Sequence, residues 1–175
     1  MDLYGELILD HAKRPQHAGL REPYDVEVNH VNPTCGDEIS LRVHVVGEGR
    51  DAVLQDVSYD ALGCSISVAS ASVLAEESIG RPVVETLATY RHLHDMLTSR
   101  GTDPGDPEQI GDAVAFAGVA RYPARVKCAL LSWTAYLDAL ARAGADISAA
   151  STDAGPGPGS DRTATGAGRD STPRS

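Results

Sequence analysis

Six consecutive residues, Asn32-Pro33-Thr34-Cys35-Gly36-Asp37, stand between two runs of alternating apolar and polar side chains and oblige the chain to turn. Pro33 fixes one backbone dihedral and removes a donor, and Gly36 admits conformations barred to other residues, so Cys35 and Asp37 can converge on one point. That point is most simply a metal ion. On its own the pair reads as readily as a polar loop with a free thiol. The run before it, Tyr24 to Val31, sets Val26 and Val28 against Glu27 and Asn29. The run after it, Ile39 to Val46, sets Leu41, Val43 and Val45 against Arg42 and His44. Gly47-Glu48-Gly49-Arg50-Asp51 turns the chain again, and Val53 to Tyr59 returns as a third strand, so an antiparallel meander is the economical pairing.

Helical spacing surrounds these strands. Leu3, Tyr4, Leu7 and Ile8 recur in a first helix from Leu3 to about Arg14, stopped by Pro15. After Gly63-Cys64 the segment Ser65 to Leu74 is a helix rich in small residues. Val83 to Leu97 is a third, carrying His92 and His94 on nearly opposite faces where they cannot chelate one ion. Beyond the turn-rich connector Gly101 to Pro107, a short helix is predicted through Ala117 with Ile110 and Val114 inward. Ala124 to Arg142 is the strongest helix, with Val126, Leu130, Trp133, Leu137 and Leu140 on its stripe. From Gly144 to Ser175 the composition shifts to Gly, Pro, Ser, Thr, Ala and Asp, which bury too little to order a chain. The reading is one domain over residues 1–143 and a disordered tail over 144–175.

Charge and composition exclude several function classes. Acidic residues outnumber basic ones 25 to 15, a net charge of −10, which disfavours nucleic acid and anionic membranes as partners. Aromatics at 5% are too few for base stacking. The first residues carry acids where a secretory leader needs bases, and no apolar run reaches the ~18 residues of a membrane span, so a cytoplasmic protein is expected.

The three cysteines, Cys35, Cys64 and Cys128, are odd in number and far apart, which suits thiolates better than a disulfide framework. Cys64 begins a helix, where free N–H groups and the macrodipole favour a thiolate. Cys128 follows Arg125 and Lys127, whose charges are expected to favour a thiolate too. With Asp37 they make a complete tetrahedral donor set for zinc. No histidine lies in a recognisable nucleophile motif, which argues against a thiol hydrolase.

Three stretches, Asn32-Pro33-Thr34-Cys35-Gly36-Asp37, Gly63-Cys64-Ser65-Ile66-Ser67 with Ala69-Ser70-Ala71-Ser72, and Arg125-Val126-Lys127-Cys128-Ala129, closely resemble the motifs of the IscU/NifU-like iron–sulfur cluster assembly proteins. The likeness runs from the first helix, with Leu9-Asp10-His11, to the helix after Cys128. Scaffold-type members place a His before the third cysteine. Lys127 stands there in this chain, and the link from Cys64 to Cys128 is longer, both of which resemble the SufU-type zinc-dependent branch. The resemblance implies an α+β fold of the IscU/SufE-like kind, a three-stranded antiparallel sheet with helices packed on it. It implies zinc held by Cys35, Asp37, Cys64 and Cys128, and a SufS-type cysteine desulfurase as partner, with a downstream Fe–S assembly scaffold receiving the sulfur. Cys35 on its Gly-flanked turn is the expected persulfide acceptor, which would make the chain a sulfurtransferase. Arg125 and Lys127 guide the persulfide or partner, or are ordinary solvated charges. The alternatives are an IscU-type scaffold binding an Fe–S cluster through the same residues, and a structural zinc domain.

Overall fold

In the computed structural model, which describes residues 3–150, the alternating runs pair in the order β1 (Val26–Asn32), β2 (Asp37–Val46) and β3 (Val53–Leu62), each neighbour antiparallel. Asn32 faces Asp37 across the first hairpin, and the turn between them is closed by Gly36 N–H donating to the Asn32 carbonyl at 2.8 Å, with Gly36 at φ +75°. Period-two alternation puts Val28, Ile39, Leu41, Val43, Val57 and Tyr59 on the buried face. The opposite face is polar: Arg42 pairs with Glu27 at 2.8 Å, and the Asn29 amide donates to Glu38 and Ser40.

The strands run further than alternation alone suggests, since β2 already begins at Asp37 and β3 continues to Leu62. Asp37 is a poor strand former, but it is 1% exposed and its carboxylate is fully engaged, so tertiary contacts override its propensity.

The helices cover the buried face. They are α1 (Leu3–Lys13), α2 (Ser65–Ser78), α3 (Val83–Leu97), α4 (Pro107–Ile110) and α5 (Pro123–Arg142), with a 3-10 helix over Gly111–Arg121. Helix α2 lies among β3, α1 and α5, and is buried nearly all round, as its run of Ala and Ser permits. Helix α5 lies across β1 and β2. Trp133 and Leu140 are fully buried there, while Val126, Leu130 and Leu137 are half-buried at the edge. Truncating Trp133 to Ala would cost about 3–5 kcal/mol.

Two details depart from the sequence reading. The helix expected through Ala117 stops at Ile110, and the chain continues as the 3-10 helix. Gly111 takes φ +55° hard against Glu77, where a Cβ would stand 2.3 Å from the carboxylate. Ile110 and Val114 do point inward. The tail placed from Gly144 is packed over its first residues. Ala145 and Ala150 are buried, Asp146 N–H donates to the Gly49 carbonyl at 3.3 Å, and Arg91 donates to the Ala149 carbonyl at 3.2 Å. Residues 151–175 lie outside the described residues.

His11 ties three elements together. Its Nδ1 meets Ser72 Oγ of α2 at 2.7 Å, and its Nε2 meets Asp112 of the 3-10 helix at 3.0 Å. Among the described residues no helix is long and apolar enough to cross a membrane.

Candidate metal centre

At one end of the sheet, the β1–β2 turn, the β3–α2 junction and the second turn of α5 come together. The turn delivers Cys35, the first residue of β2 delivers Asp37, the residue capping the start of α2 is Cys64, and Cys128 faces inward from α5. Donor atoms of Cys35, Asp37 and Cys128 all lie within 4.8 Å of one another. Cys35 Sγ is 3.1 Å from Cys128 Sγ. Cys64 joins at the edge of this group, its Sγ 3.6 Å from Asp37 Oδ2. Of the four residues singled out from the sequence, Cys35, Asp37 and Cys128 thus form one close donor group, and Cys64 adjoins it through Asp37.

Burial separates them. Cys35 is exposed, Cys64 intermediate, and Cys128 and Asp37 buried. Cys35 is steadied by Asn32, whose side-chain amide donates to its sulfur at 3.2 Å while its Oδ1 accepts from Thr34 N–H at 3.3 Å. Asp37 is gripped on both oxygens: Cys64 N–H donates to Oδ1 at 3.0 Å and the Ser67 hydroxyl donates to Oδ2 at 2.5 Å. Gly63 makes this approach possible. It sits at φ +143°, and a Cβ there would stand 2.1 Å from Asp37 Oδ1.

The electrostatics follow from these contacts. Burial alone would raise the pKa of Asp37, but the Ser67 hydroxyl, the Cys64 N–H and the thiols of Cys128 and Cys64 more than offset it, so the carboxyl is held below its ordinary value. Cys128 moves the other way. Burial first, then contact with Cys35, Asp37 and Cys64, pushes its thiol well above the usual cysteine range. The expectation that Arg125 and Lys127 favour a Cys128 thiolate is corrected here. Both side chains are exposed, where solvent and salt screen them, and desolvation of the buried sulfur prevails. Arg125 instead lines an open groove of about 550 Å³ with Ile66 and Tyr122. Lys127 lines another, of about 410 Å³, with Asn32, Pro33 and Thr34. His92 and His94 stay on α3 outside the group, His94 beside the Tyr90 ring.

Three roles escaped the sequence reading: Ser67, Asn32 and Gly63. Each lies inside a stretch already singled out, one helical turn after Cys64, three residues before Cys35, and immediately before Cys64. The signal was their position next to a ligand candidate.

The donor set suits a soft or borderline divalent cation. The sulfurs of Cys35 and Cys128 and the Asp37 carboxylate lie within 4.8 Å of one another, and the Cys64 sulfur adjoins Asp37. Residues 3–129 match the NifU-like N-terminal domain. The chain belongs to that family. A zinc-dependent sulfurtransferase SufU from Bacillus subtilis (strain 168) is 38% identical over 134 residues, which span 76% of this chain and 86% of that protein. An iron–sulfur cluster assembly scaffold protein IscU from Streptococcus pyogenes serotype M1 is 36% identical over 141 residues, 80% of this chain and 84% of the relative. Among solved structures, a putative iron–sulfur cluster assembly scaffold protein for the SUF system from Fervidobacterium islandicum AW-1 superposes with a TM-score of 0.68 at 32% identity. That match covers 77% of this chain and 94% of the other. The three-stranded antiparallel sheet with its helices is thus the architecture of this NifU-like family of iron–sulfur cluster assembly proteins.

Proposed function

We propose that this NifU-like chain is a zinc-dependent sulfur transfer protein that accepts persulfide sulfur from a SufS-type cysteine desulfurase and passes it toward iron–sulfur cluster assembly. The observation that carries the reading is the contrast within the centre: one exposed thiol on a Gly-flanked turn beside three donors held in the frame. The named SufU relative supports it. Cys35, Asp37, Cys64 and Cys128 would hold the ion. Bound zinc supplies positive charge that favours the thiolate form of its sulfur ligands.

The chain's own residues do the rest. Cys35, as a thiolate, attacks the terminal sulfur of the donor persulfide. The donor's S–S bond breaks, its electron pair leaves on the donor cysteine as a thiolate, and Cys35 becomes the persulfide with no net oxidation. Asn32 donates to the Cys35 sulfur and orients it. Cys64, at the start of α2, and Cys128, on α5, would retain the ion. Val31 and Leu62, both more than half exposed and aligned across Glu38 of β2, present apolar surface beside the centre to a partner. Lys127 and Arg125 border the two grooves, placed to guide an anionic persulfide or an acidic partner surface.

The test is sulfide release by a cognate desulfurase supplied with cysteine and reductant, with and without this protein. Stimulation that is lost on chelation and lost in Cys35→Ser supports the reading. Full stimulation by Cys35→Ser refutes it. The IscU relative favours a second reading, a scaffold for an Fe–S cluster on the same four residues. Anaerobic reconstitution separates the two, since a scaffold yields a stable visible chromophore and the transferase keeps its zinc.

A further inference from the structure

We propose that Ser67 is a positioning residue of this centre: by fixing the Asp37 carboxylate it sets how tightly the cluster retains a divalent ion. The inference rests on the metal reading above and adds to it a residue that ligates nothing itself.

Ser67 lies in the first turn of α2, three residues after Cys64, and is 4% exposed. A serine inside a helix ordinarily faces solvent or bonds back to a carbonyl of the preceding turn. This one does neither. Its hydroxyl contacts Asp37 Oδ2 at 2.5 Å, the Cys128 carbonyl at 3.3 Å and Cys64 Sγ at 3.7 Å, so one side chain touches three of the four candidate ligand residues. A hydroxyl has a single proton to give, and the shortest of these contacts takes it. With Oδ1 held by Cys64 N–H, the Ser67 bond removes the remaining rotational freedom of the carboxylate.

Neighbouring hydroxyls on the same helix show the difference. Ser70 Oγ donates to the Ala129 carbonyl at 2.6 Å, a link between α2 and α5 that touches no candidate ligand. Partners that orient a ligating carboxylate typically govern metal affinity by about 10- to 100-fold. Ser67 belongs to that class and Ser70 does not.

The experiment measures zinc affinity of the full chain by competition with a chromophoric chelator, and the visible bands of the cobalt-substituted protein. The expected result is a loss of about 10- to 100-fold in zinc affinity for Ser67→Ala, with shifted cobalt bands. Ser70→Ala should leave affinity and bands unchanged, whatever it does to the unfolding midpoint. In an Asp37→Ala background, Ser67→Ala should cost nothing further. Unchanged affinity in Ser67→Ala, or an equal loss with and without Asp37, overturns the proposal while the metal reading stands. A wild-type chain that binds neither zinc nor cobalt overturns the metal reading itself, and the role of Ser67 with it.

Discussion

Gly63 shows how tightly single residues constrain the centre. It has no side chain because Asp37 occupies the space where one would be, and its backbone sits where an L residue is strained. Gly63→Ala should therefore cost about 1–3 kcal/mol of backbone strain and displace the carboxylate. The expected outcome is a lower denaturant midpoint together with zinc affinity reduced by about 10-fold or more, both read on the same preparation. Retained affinity would mean that Asp37 is not a ligand. Cys35, Asp37, Cys64 and Cys128 were legible in the sequence because chemistry-bearing residues sat at turn and helix-start signals. Ser67 and Asn32 were not, since a Ser on a small-residue helix and an Asn before a Pro have ordinary local explanations. Only their distances of 2.5 and 3.2 Å to Asp37 and Cys35 reveal the work they do. The acidity of Cys128 does not follow from its neighbours Arg125 and Lys127, because burial, which dominates it, is a tertiary property that adjacent letters do not encode.

Among elements, the joint between β1 and α5 bears directly on the centre, because these two carry the chain to Cys35 and Cys128. His30 of β1 meets Asp138 of α5 at 2.9 Å, and Arg142 meets the same carboxylate at 2.9 Å. The His30 hydrogen bond first, then that of Arg142, holds the Asp138 carboxyl below its ordinary value. A carboxyl with a depressed pKa binds its proton less readily folded than unfolded. Its stabilisation is thus present above the ordinary value of about 3.9 and is lost as pH falls through the lowered one. Asp138→Asn should reduce stability at neutral pH and flatten the acid limb of a urea-midpoint profile below about pH 4. An acid limb as steep as that of the native chain would show that the pair contributes nothing. The strands and α1, α2, α3 and α5 were readable because their periodicities are sustained. The 3-10 helix over Gly111–Arg121 was not, because it opens at Gly111, whose φ of +55° is accompanied by Glu77, distant in sequence, filling the space a Cβ would need.

For the whole molecule, the domain extends past the composition change at Gly144. Ala145 packs against the core, a bridge joins it to Gly49, and the turn Ser148–Ala150 closes over α3. Small residues gave no warning, because Ala and Gly at a helix end look alike whether buried or free. A chain ending at Ala143 should unfold at a lower midpoint than one ending at Ala150. Equal midpoints for the two would return the boundary to Gly144. The assembled molecule is then a sheet-and-helix frame in which Asp37 and Cys128 are buried, Cys64 is half-buried and Cys35 is exposed. The most direct measurement is the mass of the protein and its Cys35 peptide after incubation with a cognate desulfurase and cysteine, under conditions that preserve persulfides. A gain of one sulfur atom, located on Cys35, is the expected result. Sulfur found on Cys64 or Cys128 with none on Cys35, or no gain at all while the desulfurase turns over, would contradict it.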